Sequence, residues 1–389
     1  MKKAEILIIG GGVVGASVAF HLAERGARDV LILERAGSQG TGSTGRATGG
    51  VRAQFETEIN IKMSLYSLEF FRRWEYDCEY EPRGYLFFAA TEKGAQYLRQ
   101  NVEKQRALGV TGVEIVDRQT ISEICPILNC DDILAGSFGA NDGFINPLAV
   151  MRGFTEKALE KGAWIEFETE AAAIETRGGK VRAVETNKGR IECEKVVLCA
   201  GAWAQALART AGVELPVVPQ RRQIVWARSE SGLPENLPMV IDLETGFHFR
   251  PARDFVNPVR SPNDVLFAYP DPEEKDSFNT DFDPSFIDKV YERARSRSPF
   301  LYRTKPVREK CRAGLYENTP DHHAILGGCA VEGLYFANGF SGHGVMHSPA
   351  TGRALAEIIL DGESRFLDVS CLSLERFEKG RLLQETAFI

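Results

Sequence analysis

Long apolar runs are missing from the 389-residue sequence. The longest uninterrupted ones are strand-sized, such as Ile6 to Ile9, whereas a membrane-spanning helix needs about 20 apolar residues. The stretch Met1-Lys2-Lys3 leads directly into a glycine cluster, without the apolar core and cleavage site of a secretory signal. We therefore expect no transmembrane segment and no signal peptide.

Paired cysteines and an excess of basic charge are also missing. The eight cysteines form no C-x-x-C pair, which argues against a zinc ribbon or a disulfide framework and indicates a reducing, cytoplasmic location. The 47 basic and 54 acidic side chains give a net charge of −7. Nucleic acids and anionic membranes are therefore not expected partners. The expected partner is a small molecule.

The first 35 residues have the pattern of a βαβ unit. A short apolar strand from Glu5 to Ile9 is followed by a glycine cluster, a helical pattern up to Gly26, and a second buried strand from Val30 to Leu33. Two strands joined by one helix in this way are parallel neighbours. The chain therefore begins with an α/β sheet.

The glycine cluster matches the dinucleotide fingerprint G-x-G-x-x-G. Gly10 permits the tight turn, Gly12 lets the main chain approach a pyrophosphate, and Gly15 lets the helix pack on the strand. The helix N-terminus offers unpaired N–H groups to the phosphates. Glu34 ends the second strand, where it can accept hydrogen bonds from ribose hydroxyls. The fingerprint by itself leaves NAD and FAD open.

The rest of the chain predicts two interleaved domains of a mixed α/β fold. A helix pattern covers Glu58 to Trp74, residues 163–193 have the pattern of an antiparallel meander, and short strands fill the middle of the chain. The α/β pattern returns near Val196 and again from Leu334 onwards. We assign residues 1–84, 145–215 and 325–389 to a nucleotide-binding Rossmann domain, and residues 85–144 and 216–324 to an antiparallel-sheet domain.

Four segments carry a resemblance to a known family: Gly10 to Arg35, Gly42 to Arg52, Val196 to Trp203 and Gly339 to Gly344. They resemble the D-amino-acid oxidase/sarcosine oxidase superfamily of FAD enzymes, most of all sarcosine oxidase β-subunits, dye-linked proline dehydrogenases and dimethylglycine dehydrogenase. The resemblance covers essentially the whole chain. It implies a glutathione-reductase-like FAD domain, and a substrate domain whose antiparallel sheet covers the flavin.

The resemblance and the fingerprint together assign the cofactor-binding residues. Ser43, Thr44 and Arg46 are expected near the pyrophosphate and the flavin, and the adenine near Ala172 and Ala173. The helix after Gly344 is expected to point its N-terminus at the flavin. The full set is Gly10, Gly12, Val13, Val14, Gly15, Glu34, Arg35, Ser43, Thr44, Arg46, Ala172, Ala173, Gly201, Gly339, Gly342, His343 and Gly344.

Two departures from the family patterns imply that the FAD is not covalently attached, and a third implies that no FMN is covalently attached. Gly314 stands where monomeric sarcosine oxidases have the attaching cysteine, and Arg46 stands where dimethylglycine dehydrogenases have the attaching histidine. Pro147 occupies the place of the histidine that carries FMN in heterotetrameric sarcosine oxidases. Non-covalent FMN stays open.

The resemblance also assigns the substrate site. Tyr316 and Met346 replace the cationic carboxylate anchors of two subfamilies, whereas Arg52 matches a sarcosine-oxidase-type arginine. Arg52 is therefore the expected carboxylate anchor, through the paired hydrogen bonds of a guanidinium. The other candidates are His343, which could touch the flavin or the substrate, and the substrate-side residues His248, Arg250, Tyr269, Tyr316 and Met346.

The expected function is FAD-dependent oxidation of an N-alkyl or cyclic amino acid such as sarcosine, dimethylglycine or proline. Two alternatives stay open: a D-amino-acid or glycine oxidase on the same fold, and an FAD-binding subunit or assembly factor without its own turnover. The electron acceptor is also open between O₂, a quinone and a partner subunit. No metal is expected, because the adjacent histidines of Asp321-His322-His323 cannot easily face one ion.

Overall fold

The chain folds into strands and helices whose bounds follow from a computed structural model that describes residues 2–255 and 261–385. The strands are β1 (Lys2–Ile9), β2 (Val30–Leu33), β3 (Gly50–Val51), β4 (Tyr85–Ala89), β5 (Val113–Val116), β6 (Ala135–Gly139), β7 (Gly143–Phe144), β8 (Trp164–Glu166), β9 (Ala171–Arg177), β10 (Lys180–Thr186), β11 (Gly189–Leu198), β12 (Val218–Arg228), β13 (Met239–Asp242), β14 (His248–Pro251), β15 (Asp264–Ala268), β16 (Lys305–Pro306), β17 (Arg312–Asn318), β18 (Ile325–Gly328) and β19 (Leu334–Asn338). The α-helices are α1 (Val13–Glu24), α2 (Ser43–Arg46), α3 (Glu58–Arg73), α4 (Glu92–Ala107), α5 (Arg118–Ile124), α6 (Pro147–Glu160), α7 (Ala204–Thr210), α8 (Phe286–Arg297), α9 (Pro299–Tyr302), α10 (Gly344–Asp361) and α11 (Glu375–Glu378).

The first sheet is built on the predicted βαβ unit. Its strand order is β18-β19-β11-β1-β2-β8, and β19, β11, β1, β2 and β8 run parallel. Alternate residues of β1 enter two different cores, Ile6 and Ile8 on one face and Leu7 and Ile9 on the other. Because both faces are covered, residues 6–9 of the strand form an unbroken apolar run rather than an alternating pattern.

One expectation for this sheet was wrong. The predicted meander of residues 163–193 is antiparallel only through β9, β10 and β11. Its first strand, Trp164–Glu166, instead pairs in parallel with β2. The strand follows helix α6, which packs against α1, so the chain crosses over on that face and returns in the same direction, as parallel pairing requires.

The second sheet covers a separate core. Its strand order is β16-β12-β15-β14-β13-β4-β6-β5, with β17 paired to β12, and its pairs are antiparallel apart from β13 with β4. Large apolar side chains such as Phe249 and Phe267 fill its core. The mixed α/β fold with a parallel and an antiparallel sheet is confirmed, whereas the domain boundaries stay a prediction.

The parallel strands of the first sheet end at one common edge. Gly10 follows β1, Glu34 follows β2, Cys199 follows β11, and Gly339 follows β19. In open α/β sheets this carboxyl edge is where ligands bind. Within residues 2–255 and 261–385, no helix is long and apolar enough to cross a membrane.

Candidate functional site

A cavity of about 640 Å³ is lined by residues of both sheets. The predicted cofactor-binding residues that line it are Gly10, Gly12, Val13, Val14, Glu34, Arg35, Ser43, Thr44, Arg46, Ala172, Gly201, Gly342, His343 and Gly344. The predicted substrate residues that line it are Arg52, His248, Tyr269, Tyr316 and Met346. Four predicted residues do not line it: Gly15, Ala173, Gly339 and Arg250.

The three fingerprint glycines have different surroundings. Gly10 has a φ of +111°, and a Cβ built on it would lie 2.4 Å from the carbonyl oxygen of Cys199. A Cβ on Gly15 would lie 2.0 Å from the carbonyl oxygen of Gly10, so α1 can pack this closely on β1 only with glycine there. A Cβ on Gly12 would meet a single atom, Oγ1 of Thr44 at 3.3 Å, within 4 Å.

The surroundings of Gly12 fit the pyrophosphate of FAD. The space that a side chain would fill is open, and the N-terminus of α1 begins at Val13 beside it. The main-chain N–H of Val13 donates to Oγ1 of Thr44 at 3.1 Å, which holds the α2 segment against that N-terminus. An open cradle at a helix N-terminus is the environment that a phosphate group requires.

Glu34 and Arg35 stand at the end of β2. The Glu34 carboxylate accepts hydrogen bonds from the main-chain N–H groups of Gly11 at 3.1 Å and Ala36 at 2.9 Å. The Arg35 guanidinium lies 3.8 Å from the ring centroid of Trp203, which also lines the cavity. This arrangement orients the Glu34 carboxylate at the cavity, where a ribose hydroxyl could donate to it.

The short helix α2 is fastened to β17. Ser43 donates from Oγ to the carbonyl oxygen of Leu315 at 2.8 Å, and Arg46 donates from Nη1 to the carbonyl oxygen of Ala313 at 2.7 Å. A Cβ on Gly314 would lie 3.2 Å from Cβ of Arg46. The two positions that the resemblance links to covalent attachment are therefore in contact, and neither carries a nucleophilic side chain.

We expect acid precipitation of the holoprotein to release all of its flavin into the supernatant, because Gly314 and Arg46 offer no thiol or imidazole for attachment. The measurement is flavin absorbance in the supernatant and the pellet. As a control, a Gly314→Cys variant tests whether a thiol at this position captures the flavin. Colour that stays with wild-type pellet would contradict non-covalent binding.

The N-terminus of α10 faces the cavity beside Tyr316. Gly342 has a φ of +96°, and a Cβ on it would lie 2.5 Å from Cε2 of Tyr316. His343 caps the helix, is 6% exposed, and packs edge-on against Phe55 with 4.9 Å between ring centroids. Burial, and next the charge of Arg52, lowers the pKa of His343 well below its ordinary value, so the imidazole is neutral at pH 7.

Arg52 is a buried cation at the cavity wall. It is 3% exposed, it donates from Nη1 to the carbonyl oxygen of Gln54, and its guanidinium lies 3.8 Å from the ring centroid of Phe55. Burial lowers the pKa of Arg52, yet an arginine stays charged at neutral pH. The Asp142 carboxylate supports this segment by accepting from the main-chain N–H of Ala53 at 2.7 Å.

The second sheet contributes several apolar side chains to the cavity. Met239 and Ile241 of β13 line it, together with Tyr269 and His248, and α10 contributes Met346. The ring nitrogen Nδ1 of His248 lies 2.9 Å from the carbonyl oxygen of Gly246, and burial lowers the pKa of His248 to about 4. A nitrogen that bonds a carbonyl oxygen carries the hydrogen, so Nε2 of the neutral ring is left as an acceptor.

Arg250 is placed away from the cavity. Its guanidinium donates to the carbonyl oxygens of Thr48 and of Pro251, the latter at 3.0 Å, and lies 3.6 Å from the ring centroid of Phe144. These contacts hold the loop before β3 against β14.

Asp321, the first residue of the Asp321-His322-His323 motif, pairs with a buried arginine. Its carboxylate accepts from Nε of Arg376 at 2.8 Å and from Nη2 of Arg376 at 3.0 Å.

Three further lining residues, Arg222, Trp203 and Glu317, were not among the candidate site residues selected from the sequence. Arg222 and Glu317 lie on strands β12 and β17, which pair with each other. In the sequence, Arg222 and Glu317 are distinguished only as charged residues within these two strands. Strands of one sheet can present such residues to solvent or to a cavity, and the sequence does not distinguish the two.

Glu317 makes the stability of the apoprotein depend on pH. Burial raises the pKa of its carboxyl to about 7, although the N–H groups of Gly339 and Phe340 act in the opposite direction. The pKa of Glu317 is therefore higher in the folded state than in the unfolded state. Its contribution to the free energy of unfolding is complete below about pH 4.5 and is lost as pH rises through 7. We expect Glu317→Gln to be more stable than wild type at pH 8 by about 1 to 3 kcal/mol, and no more stable at pH 4.5.

Urea unfolding of both apoproteins at pH 4.5, 6 and 8 measures this difference. The exposed residue Glu123 offers a matched control, because Glu123→Gln should leave the pH dependence unchanged. An equal free-energy difference between Glu317→Gln and wild type at all three pH values would refute the assignment.

Comparison with known proteins agrees with this geometry. Residues 5–358 match the DAO family, described as FAD dependent oxidoreductase. FAD-dependent oxidoreductase domain-containing protein 1 of Xenopus laevis is 31% identical over 97% of this chain and 83% of its own length. Mitochondrial dimethylglycine dehydrogenase of Rattus norvegicus is 29% identical over 99% of this chain and 46% of its own length.

Solved structures extend the agreement to the fold. The crystal structure of L-proline dehydrogenase from P. horikoshii superposes with a TM-score of 0.89 at 29% sequence identity, over 98% of this chain and 100% of that chain. The matched residues 5–358 include every residue that lines the cavity, among them the fingerprint, the α2 segment and Arg52. The chain is a member of the DAO family of FAD-dependent oxidoreductases.

Proposed function

We propose that this protein oxidises the C–N bond of an N-alkyl or cyclic amino acid, of the sarcosine, dimethylglycine or proline type, to an imine. The relatives named for dimethylglycine and for L-proline support this class, since the nitrogen of both amino acids carries carbon substituents in addition to Cα. The imine product would then hydrolyse in water.

The observation that carries the proposal is the buried guanidinium of Arg52 at the cavity wall. A carboxylate can pair with it through charge-assisted hydrogen bonds in a region of low dielectric. The neighbouring imidazole of His343 is neutral, so it does not compete with Arg52 for the carboxylate as a second cation would. An amino acid held by its carboxylate has its Cα and amine oriented, which removes much of the entropic barrier to reaction.

FAD, bound between the fingerprint and α10, would supply the acceptor for two electrons of the substrate C–H bond. The chain's own residues would prepare the substrate. The apolar lining residues Met239, Ile241 and Met346 disfavour the ammonium form of the amine, whose proton leaves to solvent. His248 leaves Nε2 as an acceptor for a hydrogen bond from an amine N–H.

An anaerobic screen of flavin bleaching tests the proposal, because it needs no knowledge of the electron acceptor. The panel contains about twenty amino acids with their N-methyl derivatives, together with proline. We expect bleaching by secondary or tertiary amino acids, and slower or no bleaching by the matched primary amino acids. Bleaching by D-amino acids or glycine alone would instead support the alternative oxidase. No bleaching by any amine would contradict an enzymatic role, and would favour an FAD-binding subunit.

A further inference from the structure

Arg222 is a cation of the cavity that the proposed reaction does not yet use. It lies in β12 opposite Gly314 of β17 and lines the cavity. The next two residues of β12, Gln223 and Ile224, also line the cavity, whereas the preceding Arg221 does not. Arg221 instead pairs with Glu274 at 3.0 Å.

The guanidinium of Arg222 is incompletely hydrogen-bonded. Its Nη1 donates to the carbonyl oxygen of Arg221 at 3.3 Å, while its buried Nε has no hydrogen-bond partner among the described residues. Of the three nearby carboxylates, those of Glu274, Asp271 and Asp276, the first is engaged by Arg221 and the second by Lys289 at 2.8 Å. A buried donor without a partner costs free energy, which an anionic ligand would recover.

Tyr316 connects Arg222 with Arg52. Its ring centroid lies 5.3 Å from Cζ of Arg222. Burial raises the pKa of the Tyr316 hydroxyl, while the charges of Arg222 and then Arg52 act to lower it. Arg52, Arg222 and Tyr316 all line the same cavity. The histidines that line the same region, His248 and His343, are neutral at pH 7. One carboxylate on Arg52 therefore leaves the positive charge of Arg222 without an anionic ligand.

We propose that Arg222 is a second anion-binding residue of the substrate site, and that the substrate is an amino acid carrying two carboxylates. Arg52 binds one carboxylate and Arg222 the other, on the two sides of Tyr316. This inference rests on the proposed function, because it takes the carboxylate on Arg52 as given.

Thioether analogues test the inference, because they lack the amine and cannot be oxidised as substrates. (Methylthio)acetate carries one carboxylate. Thiodiacetate adds a second one across the sulfur, and 2-(methylthio)succinate adds it on the α-carbon side. Binding to the holoprotein is followed by the change in flavin absorbance and by isothermal titration calorimetry. We expect at least one dicarboxylate to bind wild type roughly ten- to hundred-fold more tightly than (methylthio)acetate.

Variants test whether Arg222 causes the preference for a dicarboxylate. Arg222→Gln should bring the ratio of the two affinities to about one, with the affinity for (methylthio)acetate and the FAD content kept. Arg222→Lys should keep part of the preference, since an ammonium retains the charge but not the planar fork. Arg182→Gln, at an exposed arginine of strand β10 that does not line the cavity, is the matched control and should keep the wild-type ratio.

Three results would overturn the inference. If wild type binds (methylthio)acetate as tightly as both dicarboxylates, the second anion site is wrong while the proposed function stands. If none of the three ligands binds, both the inference and the carboxylate site at Arg52 are wrong. If Arg222→Gln loses FAD but its remaining holoprotein still prefers the dicarboxylate, Arg222 serves the cofactor rather than the substrate.

Discussion

Gly12→Val is expected to abolish FAD binding while the protein still folds. The main chain at Gly12 is extended, with φ −71° and ψ −178°, a conformation that valine adopts without strain. A Cβ there meets only Oγ1 of Thr44 at 3.3 Å within the chain itself. The added methyl groups would instead occupy the open cradle in front of α1, where the pyrophosphate needs close approach to the main chain.

Losing the charge-assisted hydrogen bonds that main-chain N–H groups would donate to the phosphates would weaken FAD binding on the order of 10²- to 10⁴-fold. Flavin content of the purified protein and calorimetric titration of apoprotein with FAD measure the loss, and circular dichroism reports the fold. Gly37→Val is the matched control: Gly37 does not line the cavity, and the nearest atoms to a Cβ there belong to Glu168 at 4.0 Å. Full flavin occupancy in a folded Gly12→Val protein would show that this glycine serves only the turn.

Arg52→Ala should lose most substrate recognition while FAD content stays near normal. The substitution leaves the substrate carboxylate in a buried site without its cationic partner. Truncating one member of such a pair costs on the order of 2–5 kcal/mol, or roughly thirty- to several-thousand-fold in recognition. The rate of flavin reduction against substrate concentration, under anaerobic conditions, measures the effect.

Arg52→Lys provides the comparison with charge retained. We expect it to recover part of the loss, because an ammonium restores the charge without the planar, two-point geometry of the guanidinium. The alanine variant also loses the contact with the Phe55 ring, so the thermal stability of both variants is measured alongside. If the flavin reduction rate of Arg52→Ala depends on substrate concentration as in wild type, another cation of the cavity binds the carboxylate.

The sequence by itself determined the nucleotide-binding half of the site. The strand, the turn at Gly10, the helix from Val13 and the second strand ending at Glu34 are consecutive in the chain. Their geometry follows from local rules: a φ of +111° that favours glycine, N–H groups without a partner inside the helix at its N-terminus, and apolar runs for strands buried on both faces. Motif spacing is informative here because the ligand-binding atoms are main-chain atoms.

The tertiary structure alone decided which charged side chains of the second sheet reach the cavity. Arg222 and Arg250 are both arginines within strands, but Arg222 lines the cavity, whereas Arg250 is held by carbonyl oxygens and the Phe144 ring. Glu317 reaches the cavity from β17, a strand paired with β12. The alternation of a strand fixes which residues share a face. Which face turns toward the cavity depends on how two sheets, built from segments hundreds of residues apart, pack against each other.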